Sequence, residues 1–239
     1  MPKEVSLKVA AAELMWRLGR NGRAIELYKQ AMLMTSDNAD IAELLGYCYI
    51  FDGKWDEAAE IFNGLLERCG DGPKKKLYLQ AAALCSMSAA QYSRAATCYS
   101  RLAVDERDNA EIWVKIGQAA LGAGATQRAS MCGKKALALR PGYADAIALV
   151  GCAQYAAGDY DAAVKSFEEI AADKKNGGFS WLMRARCYEQ LGAKSQAEHA
   201  YKKASEINPR SELNVYLVNR EGFPFCKNRQ NGNPEAYLE

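Results

Sequence analysis

Eight cysteines, one histidine and scattered acid pairs are the side chains of this 239-residue sequence best suited to bind a metal or attack a substrate. The thiols are Cys48, Cys69, Cys85, Cys98, Cys132, Cys152, Cys187 and Cys226, and none forms a C-x-x-C pair. A zinc site needs thiolates or imidazoles clustered at short spacing, and His199 has no such company. Disulfide scaffolds are usually short secreted chains, so the thiols are predicted to be reduced, in a cytoplasmic protein. A nucleophile needs an activating base beside it. His199, between Glu198 and Lys202, instead has the pattern of a solvated helix face, as does the pair Glu168–Glu169. The glycines of LGAGATQ (121–127) follow no strand, which argues against a dinucleotide fingerprint. Lys74, Lys75 and Lys76 in GDGPKKK suit a solvated loop better than a phosphate site. No catalytic residue, metal or cofactor is expected, and the chain is not expected to be an enzyme.

Composition narrows the class further. Hydrophobic residues are 49% and charged residues 25%, the balance of a globular protein with a substantial core. The net charge is +2, from 31 basic and 29 acidic residues, which does not suit a nucleic-acid binder. No apolar run reaches the roughly 18 residues that would make a transmembrane helix candidate. Near the N-terminus Lys8 and Glu13 interrupt any signal-peptide core.

The thiol spacing belongs to a wider pattern. Ala24, Ala58, Ala95, Ala129, Ala163 and Ala197 follow one another at steps of 34, 37, 34, 34 and 34 residues. Gly19, Gly53, Gly124, Gly158 and Gly192 keep the same phase, with Ala90 in the one missing place. Tyr28, Phe62, Tyr99, Phe167 and Tyr201 form an aromatic column, which Gly133 breaks. A small-residue column runs through Ala12, Gly46, Ala83, Gly117, Gly151 and Ala185. Cys48, Cys85 and Cys187 share one column and Cys98 and Cys132 another, so these thiols are expected to pack as small hydrophobes. Cys69 and Cys226 lie outside these columns and are expected to be more exposed.

Each period must supply elements that bury its apolar face. Ile41, Leu44, Leu45 and Cys48 follow helical spacing, and each unit holds two such helices of about 14 residues around a turn. Small residues let the two helices approach closely. Glycine at the turn suits a helix C-terminus in the left-handed region. Asp159 and Asp161 favour the start of a second helix. One hairpin cannot bury its own apolar face, so neighbours must stack.

The columns resemble the tetratricopeptide repeat, a family of 34-residue helical hairpins. The second unit carries Leu45, Gly46, Tyr49, Gly53, Ala58 and Phe62; the fourth Trp113, Ile116, Gly117, Gly124, Ala129, Ala136 and Pro141; the sixth Trp181, Tyr188, Gly192, Ala197, Tyr201, Ala204 and Pro209. Six units are read at 5–38, 39–72, 76–109, 110–143, 144–177 and 178–211. The resemblance implies an all-α fold, a right-handed α-solenoid whose first helices line a concave groove. A C-terminal capping helix is expected over 212–221, where Leu213, Val215, Tyr216 and Leu217 are apolar, with a loop or disordered tail over 222–239. The FPF in that tail could dock into a groove.

By the same resemblance the groove is expected to include Glu13, Asp40, Glu43, Tyr47, Phe51, Leu84, Met87, Gln118, Tyr155, Met183 and Arg186. Tyr47, Met87 and Tyr155 are the leading candidates for exposed anchors, while Leu44, Leu149 and Leu182 fit either groove or inter-repeat core. Glu13, Asp40 and Glu43 suggest a basic flank on the partner. The family's heat-shock-tail clamp is disfavoured, since no three consecutive units carry its Lys and Asn set. The expected function is a non-enzymatic protein-interaction module that binds a protein or peptide as adaptor, scaffold or chaperone. A secretion-type chaperone, a self-assembling scaffold and an enzyme-complex subunit remain alternatives.

Overall fold

A computed structural model describes residues 3–35, 38–173 and 177–207. Among the described residues there are twelve α-helices and no strand. The chain divides into two compact units near Leu102. The first holds α1 (Lys3–Arg17), α2 (Asn21–Leu33), α3 (Ala39–Phe51), α4 (Trp55–Cys69), α5 (Lys75–Ser88) and most of α6 (Tyr92–Asp105). The second holds α7 (Ala110–Gly122), α8 (Thr126–Leu139), α9 (Ala144–Ala156), α10 (Tyr160–Glu169), α11 (Gly177–Gln190) and α12 (Lys194–Ile207). From α1 to α5 and from α7 to α12, each helix packs on the next, the nearest-neighbour stacking of an α-solenoid. The expected capping helix and tail lie outside the described residues.

The turn column does what its residue type suggests. Gly53 has φ 72°, the Gly53 N–H donates to the Ile50 carbonyl at 3.0 Å, and the Lys54 N–H donates to Tyr49 at 2.9 Å. Those bonds end α3 and aim the chain into α4. Ala90 holds the same left-handed turn at φ 59°, with Gln91 N–H donating to Ser86 at 2.8 Å. α3, α7 and α10 start on side-chain caps: Asn38 accepts from the Asp40 and Ile41 N–H groups, Asn109 from Glu111, and Asp159 from Ala162. The lysine run is not wholly loop, because α5 begins at Lys75, which pairs with Asp71 at 2.5 Å.

Small and aromatic columns interlock. A β-carbon on Gly46 would stand 2.9 Å from the Phe62 ring, and one on Gly151 would stand 2.9 Å from Phe167. The fourth unit solves its missing ring differently. Leu149 of α9 reaches over Gly117, and Val150 packs where Gly133 has no side chain, 2.7 Å from the place of a β-carbon. Leu149 and Leu182 are therefore core, while Leu44 is half-buried.

Six thiols are buried, and Cys69 is partly exposed. Burial pushes Cys48, Cys85 and Cys187 each up to about 12 and raises Cys98, Cys132 and Cys152 as well. Such thiols stay protonated near neutral pH and are poor nucleophiles. Cys226 lies outside the described residues.

Candidate partner-binding face

First helices can expose side chains that no second helix seals. In the first unit α3 places Ile41, Leu45 and Cys48 in the core while Tyr47 and Phe51 stay half-buried. On α5, Tyr78, Leu79 and Cys85 are buried while Leu84 and Met87 remain half-exposed. Tyr47 stands edge-on to Phe62 at 5.3 Å, and Phe51 meets Trp16 at 5.4 Å. Each ring is thus braced by the core without being enclosed by it. Burial, with Glu43 adding to it, holds the Tyr47 hydroxyl above its usual range.

The acids of this unit are not equally available. Glu13 is half-buried on α1. Lys74 Nζ lies 2.7 Å from Glu43 and 3.1 Å from Asp40, and the Tyr78 hydroxyl donates to Glu43 at 2.9 Å. Burial first, and then that hydrogen bond, raises Tyr78 to about 12. The expected attraction of Asp40 and Glu43 for a basic partner flank is therefore met within the chain. Sequence reasoning placed Lys74 in a solvated loop and missed this role. The available signal was its spacing, 34 residues after Asp40.

In the second unit Gln118 on α7 and Tyr155 on α9 are half-buried, and Tyr155 stands edge-on to Tyr160 at 5.4 Å. Arg186 on α11 lies in the electrostatic reach of Tyr155, Tyr201 and Glu189, and burial lowers its proton affinity. Tyr201 hydrogen-bonds Glu189, and burial raises its hydroxyl. Met183 does not belong with these residues. It is fully buried in the cluster with Leu149, Phe167 and Cys187, because α11 turns that position toward its neighbours in the core. An exposed anchor at Met183 is ruled out on that ground.

Away from these residues, a shallow cleft of about 380 Å³ lies between α11 and α12, lined by Trp181, Arg184, Tyr188 and His199 among others. The Arg184 guanidinium sits 4.2 Å from the Trp181 ring and 3.2 Å from Glu168. His199 is exposed and meets Trp181 edge-on at 6.1 Å. Among the described residues no group of three or more His, Cys, Asp or Glu could hold a metal, and no helix is long and apolar enough to cross a membrane.

Comparison with known proteins finds a family match over residues 78–208, to the middle TPR-like domain of cilia and flagella-associated protein 70. A general tetratricopeptide-repeat match covers residues 15–74. Tetratricopeptide repeat protein 8 of Caenorhabditis elegans is 24% identical over 164 residues, which are 68% of this chain and 32% of that protein. This chain therefore spans about a third of that relative's length. Among solved structures, the C-terminal part of a TPR repeat-containing protein from Cytophaga hutchinsonii aligns with a TM-score of 0.59 at 19% identity. That alignment covers 83% of this chain and 78% of the other. MamA from Desulfovibrio magneticus aligns at 0.57 and 16% identity, over 74% and 98% of the two chains. At these identities the structural likeness speaks to the fold alone.

Proposed function

We propose that this chain, which belongs to the tetratricopeptide-repeat family described by the middle domain of cilia and flagella-associated protein 70, is a non-enzymatic interaction module. It holds a partner segment on the first helices of its repeat units. Tetratricopeptide-repeat proteins generally mediate protein–protein contact, and one observation points to the face used here. Tyr47, Phe51, Leu84 and Met87 are half-buried apolar groups on α3 and α5 that keep some surface in water, beside neighbours that are buried in the core. Rigid aromatics and a flexible thioether are the usual anchors of a peptide-binding surface. The recognised segment is apolar and extended or helical. Because Lys74 already answers Asp40 and Glu43, a basic flank contributes little unless it displaces that lysine. In the second unit Gln118, Tyr155 and Arg186 are the corresponding candidates, and Arg186 would favour an acidic or hydrogen-bond-accepting group. Adaptor, scaffold and chaperone roles in the cytoplasm all fit this reading.

The test is site-specific photo-crosslinking. A photoreactive residue at Met87 should capture the partner in its native cells, and the same residue at exposed Glu60 on α4 should not. Equal capture at both positions would remove the first-helix face as the site.

A further inference from the structure

Acids at one register place of the first helices are answered in different ways. In the fourth unit Glu111 pairs with Lys115 of its own helix at 2.9 Å, and in the fifth Asp145 accepts from the Tyr143 hydroxyl at 3.4 Å. Asp40 holds the same place in the second unit, but its cation, Lys74, comes from beyond the following second helix. The step to the third unit is 37 residues rather than 34, which puts Pro73, Lys74 and Lys75 ahead of the third repeat. The backbone there holds Lys74 in place, since its carbonyl accepts from the Tyr78 N–H at 2.9 Å. Its ammonium and the Tyr78 hydroxyl both reach Oε2 of Glu43, at 2.7 and 2.9 Å. The Glu43 side chain is only 16% exposed, against 83% for Asp40. The anchor Tyr47 lies in electrostatic reach of this group: after burial, Glu43 raises its hydroxyl and Lys74 lowers it.

Given that α3 and α5 form the partner-binding face, we propose that Lys74 sets its charge selectivity. The Lys74 ammonium fills the cation place on Glu43 and Asp40, so the face takes an apolar segment that is uncharged at this end and gives lysine or arginine there no advantage. A partner's basic residue entering here only replaces one ammonium by another on the same oxygens, and tethered Lys74 competes at a high effective concentration. An acidic residue is disfavoured as well, because the three groups together carry a net negative charge. Without Lys74, the Tyr78 hydroxyl still holds the Glu43 carboxylate, which is then oriented, largely buried and short of its cation. A basic residue on the partner would gain there the ion pair that the chain otherwise makes with itself. The other charges of this region do not replace Lys74: Lys75 pairs with Asp71, Lys76 is exposed, and Glu13 lies half-buried on α1 one turn before Arg17.

The probe is a random peptide library displayed on phage, selected at low salt on the full chain and on its Lys74→Met variant, which keeps a long side chain without the charge. Binders are counted when they are lost on Met87→Ala or Leu84→Ala, using whichever variant keeps its helices by circular dichroism. Peptides selected on the unaltered chain should share apolar residues without an excess of lysine or arginine. Those selected on Lys74→Met should gain that excess, and replacing the basic residue of such a peptide by alanine should weaken its binding to the variant severalfold. Adding Asp40→Asn and Glu43→Gln to Lys74→Met should abolish the excess. The same charge preference with and without Lys74 overturns the proposal, and so does an excess that survives the loss of both acids, which would assign it to Glu13. Both outcomes leave α3 and α5 as the binding face. Binders indifferent to Met87 and Leu84, or no binders, would instead remove that face and the role of Lys74 with it.

Discussion

Lys74 reaches back one repeat to place its ammonium 2.7 Å from the Glu43 carboxylate, with Asp40 as its second partner at 3.1 Å. The three-residue insertion before α5 thus contributes to the edge of the candidate face. Half of the Lys74 side chain remains in water, which limits the energy of the pair. Replacing either Lys74 or Glu43 by alanine should cost less than about 1 kcal/mol, with a double-mutant coupling near 0.5 kcal/mol. Urea denaturation at low salt measures this, and 1 M salt should reduce the coupling. An unchanged coupling in high salt would mean that packing, not charge, joins the residues.

Ala90 occupies a backbone conformation that glycine adopts without strain. At φ 59° its β-carbon crowds the backbone, while Gly53 and Gly124 make the equivalent turn freely. Glycine also loses more freedom on folding, which offsets part of the gain. Ala90→Gly should therefore stabilise the protein by about 0.5 kcal/mol. Gly124→Ala should destabilise it by about 1 kcal/mol. Urea midpoints of the two variants should move in opposite directions; movement the same way contradicts this account of the turn.

The vacancy at Gly133 makes Gly117 unusually intolerant of change. A β-carbon there would collide with Leu149 and stand 3.1 Å from the Cys132 β-carbon. Gly117→Ala should cost about 1–3 kcal/mol by overpacking. Adding Leu149→Val should recover part of that loss, although the change alone is destabilising. If the two losses simply add, Leu149 is not the obstacle.

The buried thiols give stability a dependence on alkaline pH. Cys48, Cys85 and Cys187 stay neutral in the folded chain up to about 12, against an ordinary value of 9. The unfolded chain releases those protons earlier, so their contribution is complete below pH 9 and falls as the pH rises toward 12. Cys85→Ala should flatten the decline of the urea midpoint across that window. At pH 8 a thiol reagent followed by peptide mapping should find Cys69 labelled quickly and the six buried thiols only on unfolding. Fast native labelling of Cys85 would contradict its enclosure.

What the sequence made legible was periodic. The turn column anticipated the left-handed residues, including the substitution at Ala90, and Asp159 caps α10 as its position suggested. The cysteine columns fall in the core for the same reason: one register point meets one environment in the units that carry them. Register does not say which neighbour fills a gap. Leu149 over Gly117, Met183 in the core and Lys74 beside Glu43 depend on how side chains from the next helix reach across, which a column cannot encode. Glu13, Asp40 and Glu43 looked like a common acidic surface until one lysine, a repeat later, took two of them.

Tyr47 and Met87 provide the decisive test of the first-helix face. Truncating an interface anchor costs over about 1 kcal/mol, and a hot spot about 2 or more, so the double alanine variant should bind its crosslinked partner at least roughly tenfold more weakly. Tyr47 also braces Phe62 edge-on at 5.3 Å, so its loss carries a stability cost unrelated to binding. Tyr47→Phe separates the two effects, since it keeps the ring and removes the hydroxyl that burial and Glu43 hold in its neutral form. That variant should keep both the fold and most of the affinity if the ring is the anchor. Calorimetry at a temperature where every variant is folded gives the affinities, and circular dichroism verifies the helices. A folded double variant with unchanged affinity would place the partner elsewhere.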